Sequence, residues 1–474
     1  MKPRFWLALL TAFAVNAAPP DYLAPVRQFA DTLLAKGLDV YGPKKTPLWA
    51  GVIDAKTLTV PETGVPAPRG VRESDRAVGG SNLYHDVVTL RVFRALSAAT
   101  GDPRYDQAGR DYVRYFLQNT QHPKTGFLGW GEHLYYHLFR DEVAAERKSH
   151  ELLEWTPPWD LVWEADAAAT RKEIAAIRYH FHADDPAELF NRHAWWDRPE
   201  HQKPRGQPWI KHSGLYAQAF MFLYTKTGDP LWLNWSCGPG ALYWNHRHRT
   251  TNLTLGCIGD PRPSTQDASS QMPELAYWLH KAWQLNPRET QFRERARAYM
   301  KSYNRYFYDR KRRGFRLSVG MDGVPKSDQM ASVWNIAYGE PGILPNGRIE
   351  AYFARVEKDR ECLAMARRVA GIARETPLPE GVSLEGVAFA LNLNLDLYDL
   401  TRNRRYLAEA RRYADLAIQN FWVASGGGGL FVRQAGDRYY EAKAGVGDLL
   451  AGLFRLHLRL HPEIKDPGVY DWTF

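Results

Sequence analysis

Residues 100–105 read Thr100-Gly101-Asp102-Pro103-Arg104-Tyr105 and separate two segments in which apolar residues recur with helical spacing. Glycine commonly ends a helix because it adopts the left-handed conformation at little cost. Aspartate caps the helix that follows, and proline is compatible with its first turn. The stretch therefore predicts a tight corner that joins helix 84–100 to a second helix beginning near residue 103.

Similar corners recur along the chain and predict the overall architecture. Thr227-Gly228-Asp229-Pro230 and Thr401-Arg402-Asn403-Arg404 each follow a helical segment, and Leu285-Asn286-Pro287-Arg288 is a looser copy. Repeated helical hairpins with one corner chemistry indicate an all-α fold, and we expect an α/α toroid, an incomplete barrel of helical hairpins. The alternative, an α-solenoid, has shorter and more regular repeats than these unevenly spaced corners.

Long segments between the hairpins are rich in Gly, Pro, Trp and His, and we expect them to form the functional loops of the toroid: 41–82, 119–158, 179–212, 236–272 and 420–445. A few short β-hairpins are expected in the loops, with strand patterns at 314–319 and 429–433. Because no linker or second domain is evident, residues 18–474 are predicted to form a single catalytic domain.

The first residues have the pattern of a secretory signal. Lys2 and Arg4 precede an apolar run at 5–15, and Val15-Asn16-Ala17 fits the small-x-small cleavage pattern. Residues 1–17 are therefore predicted to be a signal peptide, which implies a periplasmic or secreted protein. A transmembrane helix needs about 20 apolar residues. No segment of the sequence is that long and apolar, so we expect no membrane insertion.

Net charge and aromatic content indicate which class of molecule the protein binds. The formal net charge is +9, and the chain has 17 Trp and 25 Tyr. A basic exported protein is suited to an anionic polymer. The Lys and Arg residues are scattered, with no zinc-finger spacing or glycine-rich phosphate loop, which argues against nucleic acid. Aromatic rings suit the apolar faces of sugars, so we expect the protein to bind an acidic polysaccharide. We also expect the protein to be a monomer.

The three cysteines are too few for a disulfide framework. Cys237 and Cys257 are able to pair in an oxidising compartment, which would leave Cys362 over. All three are equally compatible with buried thiols, so the sequence leaves a disulfide open.

Potential metal ligands are concentrated between residues 130 and 194. Trp130-Gly131-Glu132-His133 comes first, and Ser149-His150-Glu151-Leu152 comes second. A helix is predicted to start at Trp155-Thr156-Pro157-Pro158 and to run to about Ile177, before Asn191-Arg192-His193. We expect the remaining histidines of the region to support the site or to lie on the surface: His150, His180 and His182.

These segments resemble, in order, the metal-dependent pectate lyases of polysaccharide lyase family 2. That family has a Trp-Gly-x-His segment, a His-Glu-Leu segment and an Arg-His pair. The resemblance implies an α/α toroid that cleaves pectate-like polygalacturonate. It also implies that His133, Glu151 and His193 bind the metal and that Arg192 takes the proton. Glu132 departs from the family, which often has Gly there, and the stretch before Glu151 looks shorter.

The family's catalytic lysine has no clear counterpart, and Lys211 and Lys326 are both candidates. Because a free guanidinium has a pKa above about 12, Arg192 alternatively grips the substrate carboxylate while Lys211 or a tyrosine takes the proton. We therefore predict Arg192 and Lys211 as catalytic residues and leave the base open.

A metal site made of two histidines and one glutamate suits the chemistry of a uronate lyase. The enzyme removes the proton at C5, beside a carboxylate, and expels the oxygen at C4. A divalent ion on two imidazoles and one carboxylate keeps positions open for the substrate carboxylate and stabilises the charge that develops. Mixed nitrogen and oxygen ligands favour a transition metal, with Mn²⁺ first and Co²⁺, Ni²⁺ or Zn²⁺ as alternatives, over Ca²⁺.

Two other functions fit parts of the sequence. A glycoside hydrolase on the same kind of toroid would use two carboxylates, for which the candidates are Asp86, Asp267, Glu385 and Asp448. A non-catalytic carbohydrate-binding protein of the envelope would also use many aromatic residues and a cavity. Under any of these functions, His246 and His248 are candidates for lining the groove. A sugar epimerase is disfavoured by the predicted signal peptide.

Overall fold

The computed structural model describes residues 21–68, 71–152, 157–202, 208–260, 262, 265–334 and 342–468. The predicted signal peptide lies outside the described residues, as do Trp155 and Thr156 of the predicted helix start. Fourteen α-helices lie within these ranges: α1 Leu23–Lys36, α2 Val87–Thr100, α3 Arg104–Thr120, α4 Trp159–Ala165, α5 Ala167–Ala176, α6 Ile210–Thr227, α7 Pro230–Asn245, α8 Met272–Leu285, α9 Thr290–Tyr306, α10 Leu344–Val356, α11 Arg360–Glu375, α12 Leu384–Thr401, α13 Arg404–Phe421 and α14 Val446–Leu460.

The helices form an α/α toroid, as predicted. Five consecutive hairpins pair an inner helix with an outer one: α2 with α3, α6 with α7, α8 with α9, α10 with α11, and α12 with α13. The inner helices pack side by side in the order α6, α8, α10, α12, α14 and α2, while α3, α4 and α5 lie between the two ends of this row. Inner helices such as α6 and α14 are buried on nearly all sides, whereas α11 and α13 bury a single face.

The corner chemistry is as the sequence predicts. Gly101 and Gly228 end α2 and α6 in the left-handed conformation, with φ of 76° and 70°. Asp229 caps α7 by accepting a hydrogen bond from the Leu231 amide at 2.9 Å. A further corner, before α11, was not anticipated, because Lys358 adopts a φ of 55° there in place of a glycine.

The predicted helix from Trp159 to Ile177 is wrong as a single element. Asp166 is extended, with φ of −157°, and its carboxylate accepts a hydrogen bond from the Ala169 amide to start a new helix. The chain therefore breaks into α4 and α5, because an aspartate side chain that caps a helix competes with helix continuation.

Short antiparallel strands occupy the loops: β1 Leu38–Asp39, β2 Thr46–Trp49, β3 Val52–Asp54, β4 Gly80–Ser81, β5 Tyr135–His137, β6 Glu142–Ala144, β7 Ser149–His150, β8 Ala194–Trp195, β9 Tyr308–Asp309, β10 Gly314–Phe315, β11 Trp422–Ser425, β12 Gly428–Phe431 and β13 Tyr439–Glu441. The hairpins β9–β10 and β11–β12 fall at the two predicted places. The pair β7–β8 matters most for function, because it sets His150 opposite Ala194.

Two further expectations bear on the fold. Cys237, Cys257 and Cys362 are free thiols, so the Cys237–Cys257 disulfide that the sequence left open is not formed. Among the described residues, no helix has the length and apolar character needed to cross a membrane.

Candidate metal centre

His133, Glu151 and His193 converge from three separate loop segments. One ligand atom from each lies within 4.8 Å of the other two. Nε2 of His193 is 2.7 Å and Nε2 of His133 is 3.1 Å from the same oxygen, Oε2 of Glu151. Glu151 and His133 are buried, whereas the His193 side chain is 34% exposed. The cluster therefore opens to solvent on the side of His193.

The first two segments are joined by a close backbone contact at Gly131. Its φ is 93°, and a Cβ there would collide with the carbonyl oxygen of Glu151. The next residue, Glu132, donates its backbone N–H to that same carbonyl at 2.9 Å. Glycine is thus required at this position for His133 and Glu151 to meet.

A chain of buried polar groups fixes all three segments from behind. Nε2 of His150 is 3.1 Å from Glu173 Oε1, and Nδ1 of His150 is 3.0 Å from His180 Nε2. His180 Nδ1 lies 2.9 Å from the carbonyl oxygen of Asn191, and the Trp130 indole donates to Glu173 at 2.9 Å. His150 and His180 thus lie in the buried polar chain behind the cluster, where they are able to support it. His182 is only half-buried.

Glu151 carries an ionised carboxylate with unused hydrogen-bonding capacity. Burial alone would raise its pKa, but His133 and His193 hold the pKa well below its usual range. Neither of its two oxygens accepts a hydrogen bond of good geometry from the described residues. Oε2 faces the two ligand imidazoles, and Oε1 faces Arg192 Nε at 3.6 Å.

Asp75 lies behind His133, whose Nδ1 is also 3.3 Å from the carbonyl oxygen of Ser74. Asp75 is completely buried, with Oδ1 3.3 Å from His133 Nδ1 and Oδ2 2.6 Å from Arg72 Nε. Burial disfavours the charged imidazole, but the nearby carboxylates of Asp75 and Glu151 outweigh it and raise the pKa of His133 to about 9. A carboxylate behind a histidine is the usual second partner of a metal-binding imidazole.

Glu132, the departure from the family pattern, has a buried partner from the far end of the chain. Lys443 Nζ is 2.9 Å from Glu132 Oε2, and both side chains are at least nine-tenths buried. Lys443 also acts on the carboxyl of Asp75. Burial opposes ionisation there, but His133, Arg72 and Lys443 lower the pKa of Asp75 to about 2.

His212 is a site residue that sequence reasoning missed. It lies in the first turn of α6 and is fully buried, with Nε2 3.6 Å from Glu151 Oε1. Burial lowers its pKa to about 3, so the imidazole is neutral. Its neighbour Lys211 had been predicted as catalytic, and no motif distinguished the histidine.

The two predicted catalytic residues are placed differently. Arg192 lies beside Glu151, with its guanidinium carbon 5.5 Å from the centre of the Trp209 ring. The Lys211 side chain reaches the neighbouring inner helix α8, where its ammonium is 3.5 Å from Oε2 of Glu274 in the first turn. Lys326, the other candidate lysine, is exposed on a turn. The catalytic roles of Arg192 and Lys211 stay predictions.

Three of the four carboxylates proposed for a hydrolase contact different partners. Asp86 accepts a hydrogen bond from the Tyr112 hydroxyl, Asp448 pairs with Arg348, and Asp267 accepts from Ser318. Glu385 lies in the first turn of α12. Likewise, His246 is exposed at the end of α7, and His248 contacts Thr251.

A cavity of about 390 Å³ adjoins the cluster on the side of His133. Its lining mixes polar and apolar groups and carries charges of both signs, with Ser74, Arg76, Tyr135, His137 and Arg140 next to His133. Of the three clustered residues, His133 alone is among those that line this cavity.

Comparison with known proteins gives one family match. The family model described as periplasmic pectate lyase matches residues 61–256, which include all five predicted site residues. This match confirms the resemblance and indicates an enzyme that acts on carbohydrate.

Two solved structures with TM-scores of 0.50 or more are similar to this chain in fold, and a third is similar at a lower score. A sugar epimerase from a ruminal bacterium is 10% identical, with a TM-score of 0.53 over 79% of this chain and 100% of that one. Cellobiose 2-epimerase from Bacillus thermoamylovorans is 10% identical, with a TM-score of 0.50 over 92% and 97%. A family 76 glycoside hydrolase (mannosidase) from Bacteroides thetaiotaomicron is 10% identical, with a TM-score of 0.48 over 94% and 100%. At such low identity these likenesses concern the fold alone.

Proposed function

Because residues 61–256 match the periplasmic pectate lyase family, we propose that this protein is a metal-dependent polysaccharide lyase. It cleaves a uronate-containing acidic polysaccharide of the pectate or polygalacturonate type by β-elimination, in the periplasm or outside the cell. The observation that carries the proposal is the convergence of His133 and His193 on one oxygen of Glu151.

The chemistry of the cluster fits a divalent cation. Glu151 is ionised and buried, and its two oxygens lack hydrogen bonds of good geometry from the described residues. Two imidazole nitrogens and one carboxylate oxygen form a mixed donor set, which suits Mn²⁺ first, and Co²⁺, Ni²⁺ or Zn²⁺, better than Ca²⁺. When bound, such a cation supplies Lewis-acid stabilisation of the charge that develops at the substrate carboxylate.

We assign substrate positioning and proton transfer to Arg192 and Lys211. Arg192 is partly exposed beside Glu151, where its guanidinium is suited to bind the uronate carboxylate and so to fix the position of C5. A side chain in its neutral form must take the proton from C5, so we assign this step to Lys211 as the free amine or, alternatively, to Arg192 in its deprotonated form. As the proton leaves, the bond from C4 to its oxygen breaks and a double bond forms between C4 and C5. The departing oxygen takes up a proton to give the new chain end.

The products distinguish this reaction from hydrolysis. On polygalacturonate and a panel of other uronate polymers, the wild-type enzyme is expected to form unsaturated uronates that absorb in the ultraviolet. His133→Ala should abolish the signal, while His461→Ala, which changes an imidazole after α14 that contacts Glu463, should preserve it. Reducing ends without absorbance would indicate a hydrolase instead, and sugar binding without any product would indicate a binding protein.

A further inference from the structure

His212 is buried with both ring nitrogens unused. Neither Nδ1 nor Nε2 has a hydrogen-bond partner among the described residues, although the side chain is fully buried. A buried polar group is normally hydrogen-bonded, and one without a partner destabilises the fold unless an ion, water or moving group satisfies it. Its neighbour in space is the Glu151 carboxylate, whose two oxygens also lack such partners.

The His212 ring lies near one specific oxygen of Glu151, Oε1. His133 and His193 approach Oε2, whereas Nε2 of His212 lies 3.6 Å from Oε1. His212 does not belong to the group whose ligand atoms are mutually within 4.8 Å, which comprises His133, Glu151 and His193. Its position therefore suits an outer partner of the carboxylate rather than a fourth ligand.

The fold holds this ring in place from behind. His212 precedes Tyr216 by one helical turn on the inner helix α6, and the centres of the two rings are 5.8 Å apart. The Tyr216 hydroxyl lies 3.0 Å from His180 Nδ1, in the buried polar chain behind the cluster. The side chain thus has little freedom to turn away from Glu151.

We propose that His212 is a positioning residue of the cation site, whose Nε2–H donates a hydrogen bond to Oε1 of Glu151 when Oε2 binds the cation. The hydrogen bond keeps Glu151 bound through one oxygen only. A coordination position thereby stays open for the carboxylate of the substrate. This inference rests on the cation site of the proposed function, but not on the reaction that the site performs.

Two substitutions separate hydrogen bonding from packing. His212→Phe keeps a ring of similar size and removes the donor, while His212→Gln keeps an N–H that reaches the place of Nε2. Both are made in the full chain, and the free Mn²⁺ signal in electron paramagnetic resonance gives the Kd for Mn²⁺. Co²⁺ absorption reports the coordination of the ion, and circular dichroism of the chelated proteins reports folding.

The Phe variant is expected to weaken Mn²⁺ binding by about 10- to 100-fold, the usual effect of removing an outer partner of a ligand. It should also change the Co²⁺ spectrum, while the Gln variant recovers most of the affinity. Without metal, the Phe variant should be at least as stable as wild type, because it removes an unpartnered buried imidazole.

Several results would overturn the proposal. One is a Phe variant that binds Mn²⁺ within twofold of wild type with an unchanged Co²⁺ spectrum. Equal weakening in both variants together with a destabilised metal-free fold would assign His212 to packing. Pulsed resonance that counts three coordinated imidazoles in wild type would make it a ligand, and a wild type that binds neither ion would remove the site. A wild type that binds Mn²⁺ but cleaves no uronate polymer overturns the proposed function alone.

Discussion

Asp75 and the Ser74 carbonyl oxygen both face Nδ1 of His133, and we expect the carboxylate to help orient the ring. Asp75→Asn keeps the shape of the side chain but weakens its hold on His133 Nδ1, now 3.3 Å away. We expect Mn²⁺ affinity to fall by about 10- to 100-fold, as for other carboxylates behind ligating histidines. Titration calorimetry measures the affinity, with Asp267→Asn as the control, since that carboxylate contacts Ser318 instead. Equal affinity in the Asp75 variant and wild type would contradict the assignment.

The Glu132–Lys443 pair gives a second prediction at the residue scale. Lys443→Met leaves Glu132 buried without this partner, so the free energy of unfolding should fall by about 3–5 kcal/mol. Adding Glu132→Gln should restore much of the loss, because the buried carboxylate that faced the ammonium is then neutral. Urea unfolding of the two single variants and the double variant measures the coupling. Additive effects of the two changes would show that the charges do not stabilise each other.

At this scale the sequence predicts only the residues that belong to a motif. His133, Glu151, Arg192 and His193 lie within 61 residues of chain and match a family pattern in order. The other contributors carry no such pattern. Asp75 lies in a loop rich in Gly and Pro, and Lys443 is 311 residues from its partner Glu132. Only the folded chain brings these residues together.

At the scale of elements, Gly131 joins two loop segments. Gly131→Ala introduces a methyl group that collides with the Glu151 carbonyl, so the segments must separate and cation binding should be lost. Gly436→Ala is a matched control, because its φ is also positive, at 78°, but nothing lies within 4 Å of the added atom. Both variants carry backbone strain, and only the first should lose Mn²⁺ binding in calorimetry. Retained binding in Gly131→Ala would show that the close contact is dispensable.

Helical elements were predicted best where glycine, proline or a capping residue marked their ends. Gly101 and Gly228 end helices as expected, and Asp229 starts one. The break at Asp166 was missed because the residues on both sides continue the helical pattern. The corner at Lys358 was missed because a lysine there adopts the conformation that glycine usually supplies.

At the scale of the whole molecule, the toroid followed from the repeated corners, but its ionic interior did not. Arg348 and Asp448 form a buried pair between α10 and α14, and Arg455 joins Asp396 between α14 and α12. Polar side chains at these positions interrupt the apolar pattern of the inner helices. Which of these charged residues pair depends on which inner helices are neighbours in the ring, and helical periodicity alone does not predict that.

The stability of the whole molecule should respond to pH through Asp86. Burial raises the pKa of Asp86 to about 8, although the Tyr112 hydroxyl favours the ionised form. An acid whose pKa is higher in the folded state binds more protons there, so it lowers the free energy of unfolding as pH rises from about 4 to about 8. Asp86→Asn should therefore gain stability relative to wild type between pH 5 and pH 8, by at most about 1.4 kcal/mol per pH unit.

Urea unfolding of both proteins at several pH values checks this expectation. Asp328→Asn serves as the control, because its side chain is 87% exposed. The stability difference between Asp86→Asn and wild type should widen with pH. A constant difference would show that Asp86 is ionised throughout the range.

The central claim is that a cation held by His133, Glu151 and His193 is required for β-elimination. The most direct measurement is the ultraviolet absorbance of unsaturated products on polygalacturonate, with native, chelator-treated and Mn²⁺-restored enzyme side by side. The signal should disappear on chelation and return with Mn²⁺, while Glu151→Gln should stay inactive at every Mn²⁺ concentration. Full activity after verified removal of the metal, or an active Glu151→Gln enzyme, would contradict the claim.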